Sequence, residues 1–418
     1  MQRGGGVYVL RNHYHIWMSL TAAPPLRFPF RRVDPLQPPP QYGEARATQP
    51  IVPVTLWNGR RAWLLTRYDD MRSVVTDARF SGEFANPDFP TVTEARVVVD
   101  KEERAFVGMD NPRHDHYRRM FTKEFSTRRM IALRPKMAAI ANRLIDQLTA
   151  QPQPADLVAT IAVPFPSLVM CDLVGSPYDD HPFIIECAAG RHGLLQTPAQ
   201  AAQKARELAD YFLRLIRRKE RAPGDDLVSR VIEEHVRPGN LSREDFAEIG
   251  AMILRAGHDT TTNMIGLGTL ILLNHPEQAA AVRDEPDLVP SAVEELLRYI
   301  SPVQFSPRRV AMEDVAIGDV VIRRGDGVFA LNPAANRDPD VFPDPDTFDV
   351  RRDASHHVAF GWGIHQCLGQ ILARMELQTV FPLLLQRLPN LRVAANEGEI
   401  RFKDDMQIYG VHNLPVAW

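Results

Sequence analysis

One cysteine of the chain stands in a setting that suits it to bind a metal centre. Cys367 lies in the segment Phe360-Gly361-Trp362-Gly363-Ile364-His365-Gln366-Cys367-Leu368-Gly369. Its three glycines lack a Cβ, so the backbone can approach a flat group closely. The residues from Leu368 to about Val380 have helical periodicity, and a helix N-terminus directly after Cys367 favours the thiolate over the thiol. A thiolate held against a planar surface is what a haem iron needs as its axial ligand.

This segment resembles the haem-binding signature of the cytochrome P450 family, F-G-x-G-x-H-x-C-x-G. The matching residues are Phe360, Gly361, Gly363, His365, Cys367 and Gly369. The resemblance covers Phe28 to Trp418 and is nearest to actinobacterial members that modify secondary metabolites or xenobiotics. It implies haem b as the cofactor, with Cys367 as the ligand of its iron. Cys171 and Cys187 are interpreted as inert buried cysteines.

A second family motif, A-G-x-D/E-T-T, is matched by Ala256-Gly257-His258-Asp259-Thr260-Thr261. The resemblance implies that Ala256 and Gly257 contact the haem and that Asp259 and Thr260 deliver protons for dioxygen activation. Ser242 followed by Asp245 predicts the start of a helix that runs to about Asn274. We also expect the Gly-Asp-Thr-Thr cluster to widen this helix locally, because Asp and Thr side chains compete for backbone hydrogen bonds.

Two further sets of residues follow from the resemblance. Glu295 and Arg298 match the E-x-x-R motif, a structural ion pair that Arg352 is expected to complete. The residues implied to bind the haem propionates are His114, Arg118, Arg309 and His365. Arginine suits this role because its planar guanidinium pairs with both oxygens of a carboxylate.

The residue before Ala256 departs from the family pattern. That position is usually small and apolar and faces the substrate, whereas here it is Arg255. One interpretation is an ion pair with Asp259 at i,i+4, which we favour, and the other is recognition of an acidic substrate. The full set of predicted pocket residues is Ile253, Arg255, Val303, Gln304, Phe305, Met406 and Gln407. Variable loops at Gly82–Ala105 and Pro182–Ala201 are expected to cover the site.

The elements that must position these residues are mostly helices. From about Arg67 to Tyr299 the chain has helical periodicity interrupted by prolines. Asn58-Gly59 between two apolar runs predicts a β-hairpin over Val52–Thr66. Short strands are predicted at Val315–Ile322, Leu391–Val393, Ile400–Lys403 and around Ile408. The expected fold is mainly α with small β-sheets (α+β). We expect residues 21–418 to form a single haem-thiolate domain, preceded by a tail over residues 1–20.

Composition excludes several other classes of protein. The chain has 418 residues, a net charge of −3 and three cysteines. The near-neutral charge gives no reason to expect nucleic acid or an anionic membrane as a partner. The longest apolar stretch is too short to cross a bilayer, and three cysteines cannot form a disulfide framework. A cytoplasmic location is therefore expected.

The leading prediction is a monooxygenase that uses O2 to insert one oxygen atom into a small organic substrate. No flavin, nicotinamide or iron–sulfur motif accompanies the cysteine loop, so electrons are expected from a ferredoxin and its reductase. An acidic ferredoxin could dock on a group of basic residues, which comprises Arg113, Arg118, Arg119, Lys123, Arg128 and Arg129. One alternative is nitric oxide reduction with NADH directly, although that branch of the family lacks the carboxylate of Asp259. Another is a catalytically silent haem-fold partner of a second enzyme.

Overall fold

Helices form most of the protein. The computed structural model describes residues 26–189, 197–396 and 398–418. The α-helices of the described residues are α1 (Pro40–Thr48), α2 (Tyr68–Thr76), α3 (Glu94–Glu102), α4 (Arg113–Thr122), α5 (Thr127–Thr149), α6 (Pro164–Val174), α7 (His181–Ala189), α8 (Pro198–Arg221), α9 (Leu227–Val231), α10 (Arg243–Asn274), α11 (Pro276–Asp284), α12 (Val289–Ile300), α13 (Asn332–Ala335) and α14 (Gln370–Arg387).

Three small sheets accompany the helices, so the predicted α+β class is confirmed. The strands are β1 (Leu26–Arg27), β2 (Ile51–Thr55), β3 (Arg61–Leu65), β4 (Phe80–Ser81), β5 (Ala155–Asp156), β6 (Arg308–Ala311), β7 (Val315–Ile317), β8 (Val320–Ile322), β9 (Gly327–Ala330), β10 (Arg392–Val393) and β11 (Pro415–Ala417). The largest sheet has the order β1-β2-β3-β9-β6-β4. A second sheet has the order β10-β11-β5, and β7 pairs with β8. Distant parts of the chain therefore meet in each of the two larger sheets.

The predicted hairpin is present as β2 and β3, which pair antiparallel with Ile51 opposite Leu65. Gly59 has φ +80°, a left-handed conformation that glycine adopts without a steric penalty. Its amide donates to the carbonyl of Leu56 at 3.0 Å and closes the turn. Two of the predicted strands are shorter than expected. Residues 400–403 and the region around Ile408 contribute only the isolated bridges Phe402–Val411 and Val303–Ile408.

The long helix α10 crosses the interior. Its N-cap is Ser242, whose hydroxyl accepts from the backbone N–H of Asp245, as predicted. The expected local widening is wrong, because α10 is α-helical from Arg243 to Asn274. The hydroxyl of Thr260 donates to the carbonyl of Ala256 at 2.9 Å, a bond that the regular helix accommodates. The π-helical turns lie elsewhere, at Val158–Ala162 and Ile232–Val236.

The largest hydrophobic cluster surrounds α10 and includes buried residues of α5, α6, α8, α12 and α14. Burial of this apolar surface is the main favourable contribution to folding. Smaller clusters lie on the two faces of the largest sheet. Cys367 and α10 are thus positioned by the helical core, whereas Arg309 is positioned by strand β6 of the sheet.

Three further predictions concern the N-terminal tail, the domain limits and the loops expected to cover the site. The predicted tail over residues 1–20 is outside them, and the single domain over 21–418 stays a prediction. The described part of the second supposed loop is largely helical, since it contains α7 and the start of α8, whereas the first contains the single helix α3 between turns. In the described part of the chain, no helix has the length and apolarity needed to cross a membrane.

Candidate active site

Cys367 lies at the end of a tightly folded loop. The loop contains a 3-10 turn over Gly363–His365, and the backbone N–H of Cys367 donates to the carbonyl of Phe360 at 2.9 Å. Gly361 and Gly363 have φ values of +71° and +75°. Both glycines are therefore needed for left-handed backbone conformations. The backbone conformation thus explains why glycine is needed at positions 361 and 363, in addition to the close approach of the backbone that the sequence predicts.

The surroundings of Cys367 act on its thiol in opposite directions. Burial raises the pKa of the Cys367 thiol, while the backbone N–H of Gly369 and the charges of Arg118 and Arg374 lower it. The net direction is upward, contrary to the expectation that the protein alone favours the thiolate. Helix α14 begins only at Gln370, so its N-terminus lies further along the chain than predicted. The positive charge of a coordinated iron ion would act in the opposite direction and favour the thiolate.

The other two cysteines are buried in helices α6 and α7. Burial raises the pKa of Cys171 to about 12 and that of Cys187 to about 11. Thiols of this kind are poor nucleophiles and poor metal ligands, because it is the thiolate that reacts. Both differ from Cys367, whose side chain is exposed to an internal cleft although it lies deep in the fold.

Four hydrogen-bond donors meet beside Cys367, and we name them the donor cluster: His114, Arg118, Arg309 and His365. Arg118 Nη2 donates to the carbonyl of Gln366 at 2.6 Å, directly before the cysteine. The rings of His114 and His365 lie 4.4 Å apart between centroids. A Cβ on Gly82 would lie 3.2 Å from His365 Nε2 and 3.4 Å from Arg309 Nη1, so both donors approach this glycine.

The donor cluster fits a group that carries negative charge. Among the described residues, the buried Nε2 atoms of His114 and His365 have no hydrogen-bond partner. Burial lowers the pKa of His365 to about 2 and that of Arg309 to about 10. Asp110 is the nearby carboxylate, and its oxygens already accept from the backbone of Gly82 and the hydroxyl of Ser81. Two added carboxylates, such as the propionates of a haem, would satisfy these donors.

The central turn of α10 faces the same internal cleft. Ala256 is exposed and Gly257 and Thr260 are half-buried, although most of the other residues of α10 around them are buried. Gly257 does not face the cleft in the way the sequence suggested. A Cβ at Gly257 would lie 2.5 Å from Met170 Sδ, so this glycine permits the close crossing of α6 over α10.

Asp259 is an acid with an unusual pKa. Burial raises the pKa of its carboxyl to about 6, while the positive charges of Lys403 and Arg255 oppose the increase. His258 Nε2 lies 3.8 Å from Asp259 Oδ1, and burial lowers the pKa of His258 to about 3. The imidazole is therefore neutral at physiological pH. A carboxyl of this kind can exchange a proton near neutral pH.

Arg255 is paired, but not with the predicted partner. Its Nη2 lies 2.7 Å from Glu103 Oε2, and both side chains are more than nine-tenths buried. The close ion pair of Arg255 is therefore with Glu103 rather than at i,i+4, although the charge of Arg255 still lowers the pKa of the Asp259 carboxyl. Glu103 is the residue that follows α3, 152 positions earlier in the chain. Sequence spacing gave no signal for a contact between elements so far apart.

The remaining predicted pocket residues have different surroundings. Phe305 packs against Phe28 in the core of the sheet, with ring centroids 5.5 Å apart, so its side chain does not line the cleft as expected. Gln304 Nε2 donates to the carbonyl of Met406 at 2.9 Å, and its backbone N–H donates to the carbonyl of Gln407 at 3.3 Å. These bonds connect the segment after α12 to the C-terminal segment.

Two more of these residues belong to the framework. Ile253 lies on α10, is buried and belongs to the main hydrophobic cluster. Val303 is half-buried and forms an isolated antiparallel bridge with Ile408 of the C-terminal segment. Ile253 lies about one turn before Ala256 on the helix.

The Glu295–Arg298 pair lies in the interior, away from solvent. Arg298 Nε lies 2.6 Å from Glu295 Oε2, and both side chains have 0% exposure. Arg352 Nε lies 3.3 Å from Glu295 Oε1. Arg298 also donates to the backbone carbonyls of Asn336 and Pro345, which links α12 to the segment before the cysteine loop.

The sequence interpretation missed a polar connection behind α10. Lys403 Nζ donates to Asn263 Oδ1 at 2.8 Å, and Asn263 Nδ2 donates to the carbonyl of Asp259 at 2.8 Å. A Cβ on Gly410 would lie 1.8 Å from Asn263 Oδ1, so only glycine lets the C-terminal segment approach so closely. Lys403 of the C-terminal segment and Asn263 of α10 belong to no sequence motif that would have revealed this contact.

A buried acid on α14 was also missed. Glu376 is 1% exposed, and Thr261 Oγ1 on α10 donates to its Oε2 at 3.2 Å. Burial raises the pKa of Glu376 well above its usual value, whereas the bond from Thr261 lowers it. Glu376 lies nine residues after Cys367 in the sequence, which places it on the helix that follows the cysteine loop. This spacing is the feature of the sequence that could have indicated a residue near the site.

Comparisons with known proteins identify the family to which the chain is similar. The family profile described as Cytochrome P450 matches residues 192–407. A Streptomyces griseolus protein named Cytochrome P450-SU2 is 45% identical over 384 residues, which cover 92% of this chain and 94% of the relative. Pentalenic acid synthase of Streptomyces avermitilis is 43% identical over 396 residues, which cover 94% and 98% of the two chains.

Solved structures show the same similarity. The mycinamicin VIII C21 methyl hydroxylase MycCI from Micromonospora griseorubida superposes with a TM-score of 0.89 at 35% identity. The match covers 94% of this chain and 100% of that structure. The crystal structure of GfsF superposes with a TM-score of 0.88 at 40% identity, again over 94% and 100% of the two chains.

Proposed function

The chain belongs to the cytochrome P450 family, and on this premise we propose that it inserts one oxygen atom of O2 into a small organic substrate at the cleft between Cys367 and α10. Membership makes the protein an oxidoreductase of the P450 class with haem b as its cofactor. The observation that supports the proposal is the position of the donor cluster directly beside Cys367, with Arg118 bonded to the preceding carbonyl.

The residues of the site fit the cofactor. Cys367 would ligate the iron through Sγ, and the donor cluster would bind the two propionates. Phe360, Gly361, Gly369 and the exposed Ala256 would contact the macrocycle from opposite sides. Haem b, when bound, supplies the reductive activation of dioxygen, from which one oxygen atom enters the substrate and the other leaves as water.

Two residues of α10 would manage protons in the cleft. Thr260 Oγ1 donates to the carbonyl of Ala256 and keeps its lone pairs available on the cleft side. The carboxyl of Asp259, whose pKa is about 6, can exchange a proton near neutral pH. We assign Thr260 to hold a proton donor at the reacting oxygen and Asp259 to replace the proton that is used.

The substrate class follows from the relatives. Pentalenic acid synthase and the mycinamicin VIII C21 methyl hydroxylase, by their names, act on complex natural products. We therefore assign a secondary metabolite or a compound of similar size as the substrate, with hydroxylation as the reaction. Ala256, the exposed residue of the central turn of α10, would contact it.

Electrons would arrive from a ferredoxin and its reductase. The group of basic residues beside the site is partly neutralised, since Arg119 pairs with Asp115 and Arg129 with Glu124. Arg128 is exposed and contributes positive charge to this surface. Such charge would steer an acidic ferredoxin to the side of the protein that carries Cys367.

The test is reconstitution of the haem-loaded protein with ferredoxin, ferredoxin reductase and NADPH. The reduced protein should form the thiolate-type absorption band under carbon monoxide, and reduction by ferredoxin should slow as salt rises. Arg128→Glu should slow reduction at low salt without changing that band. Absence of the band would refute the haem-thiolate assignment. Reduction of the ferric–nitric oxide complex by NADH alone would favour nitric oxide reduction instead.

A further inference from the structure

An arginine of α14 lies against the phenylalanine at the start of the cysteine loop. The guanidinium carbon of Arg374 is 4.5 Å from the centre of the Phe360 ring. The carbonyl of Phe360 accepts from the backbone N–H of Cys367 at 2.9 Å and closes the loop. The charge of Arg374 also acts on Cys367 itself, because it lowers the pKa of the thiol. A positive charge is therefore held near the side chain that would ligate the iron.

The position of this charge is fixed by hydrogen bonds within the protein. Arg374 Nε donates to Glu294 Oε1 at 2.7 Å and Arg374 Nη2 donates to Glu294 Oε2 at 2.9 Å, which joins α14 to α12. Arg374 Nη1 donates to Gln370 Oε1 at 3.0 Å. The side chains of Arg374 and Glu294 are 24% and 15% exposed, so water screens their charges only in part.

His357 also borders the Phe360 ring, but it adds no charge. Its ring centroid is 5.7 Å from that of Phe360. Its Nδ1 accepts from the backbone N–H of Ala359 at 3.0 Å, so the proton of the imidazole lies on Nε2, which is 3.1 Å from Glu294 Oε2. Burial lowers the pKa of His357, and its imidazole is therefore neutral near pH 7.

Arg374 differs from Arg118, the other arginine whose charge acts on Cys367. Arg118 belongs to the donor cluster, whose positive charges the propionates of a bound haem would offset. The partner of Arg374 is instead a carboxylate of the protein, that of Glu294. The Arg374–Glu294 pair is thus a fixed pair of opposite charges beside the cysteine loop, and its arginine is the member that lies against Phe360.

We propose that Arg374 is a positioning residue that raises the reduction potential of the haem iron, and that Glu294 limits this effect. The inference rests on the proposed function and concerns the supply of electrons to the same site. Reduced ferredoxin gives up one electron as the iron passes from ferric to ferrous. This step adds one negative charge to the iron and its thiolate, and a fixed positive charge nearby stabilises the reduced form.

The test is a spectroelectrochemical titration of the holoenzyme without substrate, which measures the midpoint potential. Arg374→Met removes the charge and keeps a side chain of similar length against Phe360. We expect it to lower the equilibrium constant for reduction about threefold to tenfold, which is a decrease of about 30–60 mV for one electron. Arg374→Lys keeps the charge, and its equilibrium constant should stay within about twofold of the wild type.

Glu294→Gln should move the potential in the opposite direction. It removes the negative charge and leaves Arg374 in place, so the equilibrium constant for reduction should rise about twofold or more. It also breaks the ion pair between α12 and α14, as Arg374→Met does. A purely structural role of the pair would therefore shift both variants in the same direction. Arg387→Gln is the matched control, since it removes an exposed arginine about 20 Å further along α14 and should leave the potential unchanged.

Equal potentials in Arg374→Met and the wild type, or shifts of the same sign in Arg374→Met and Glu294→Gln, would overturn the inference. If Arg374→Met does not retain haem, Glu294→Gln decides, because an unchanged or lower potential in that variant refutes the role of the charge. The two proposals fail separately. A protein that forms the thiolate-type band and oxidises its substrate, but whose potential does not respond to these variants, keeps the proposed function and loses only the role of Arg374.

Discussion

Arg298 holds Glu295 through two hydrogen bonds in the interior of the protein. Arg298 Nε lies 2.6 Å from one carboxylate oxygen of Glu295, and Arg298 Nη2 lies 2.8 Å from the other. Neither side chain is exposed. The pair lies on α12 and connects it to the segments that lead to the cysteine loop. If one residue of a buried ion pair is removed, the remaining charge is still desolvated, and no attraction offsets that unfavourable free energy.

Arg298→Met should therefore lower the free energy of unfolding by about 3–5 kcal/mol, because it leaves the carboxylate of Glu295 without its main partner. Equilibrium unfolding in denaturant, with the haem absorbance recorded in parallel, measures the effect. Arg351→Gln is the matched control, since it removes an exposed ion pair with Glu285 and should cost at most about 1 kcal/mol. Equal losses in the two variants would contradict a special role for the buried pair.

Thr260→Ala should separate oxygen consumption from product formation. The variant removes the hydroxyl on the cleft side of α10, so oxygen uptake should continue while hydrogen peroxide replaces most of the product. We expect the fraction of reducing equivalents recovered in product to fall by about tenfold or more. Thr262→Ala, which removes a buried hydroxyl of the same helix, is the control and should keep the wild-type ratio. Tightly coupled turnover in Thr260→Ala would remove the assigned role.

Lys403 should control the pH at which Asp259 releases its proton. Burial gives the Asp259 carboxyl a pKa of about 6, and the positive charge of Lys403 opposes that increase. Below this pH the carboxyl carries a proton that it can supply, so the coupled fraction of turnover should fall as the pH rises through about 6. Removing the charge in Lys403→Met favours the protonated carboxyl and should move this fall to higher pH.

Lys403→Arg preserves the charge and should keep the fall near its original pH. The measurement is the ratio of product to NADPH consumed between about pH 5 and pH 8. A profile that is identical in Lys403→Met and in the wild type would show that the lysine does not act on Asp259. A general loss of stability would lower activity without moving the inflection, so the profile separates the two explanations.

Glu376→Gln should stabilise the protein at neutral and alkaline pH. Burial raises the pKa of Glu376 in the folded state, so the folded protein binds a proton that the unfolded chain releases above about pH 4.3. Stability therefore decreases as the pH rises from the unfolded pKa towards the folded one. Glutamine mimics the protonated carboxyl and should remove this decrease, with a gain of about 1 kcal/mol or more at pH 8.

Thermal unfolding at several pH values measures this gain, which should be small near pH 5 and grow towards pH 8. Glu277→Gln on the exposed side of α11 is the control and should show no such growth. A destabilised Glu376→Gln at every pH would mean that the ionised carboxylate contributes to the fold.

Local signals in the sequence predicted the local features of the structure. The hairpin at Asn58-Gly59 and the limits of α10 depend on turn and capping residues next to the elements they define, and both were predicted correctly. The widening of α10 was not, because the Thr260 hydroxyl uses a helical carbonyl that stays available in a regular helix. Competition between a side chain and the backbone depends on geometry that composition does not show.

Contacts between distant segments are not visible in the sequence. Helical spacing favours Asp259 as the partner of Arg255, but Glu103 pairs with it from another element. The sequence predicts Phe305 in the pocket, yet its ring packs in the sheet against Phe28. Helical periodicity describes neighbours on one helix, whereas both errors concern partners that the tertiary fold brings together.

The approach of Gly410 to Asn263 has a consequence for the evolution of the protein. Because the space for a Cβ at position 410 is filled by the Asn263 side chain, a larger residue at 410 is tolerated only with a smaller one at 263. The two positions should therefore vary together among descendants of this sequence. In a laboratory library that randomises position 410 alone, most variants would not fold, because the new side chain would overlap Asn263. Randomising positions 263 and 410 together would recover folded variants.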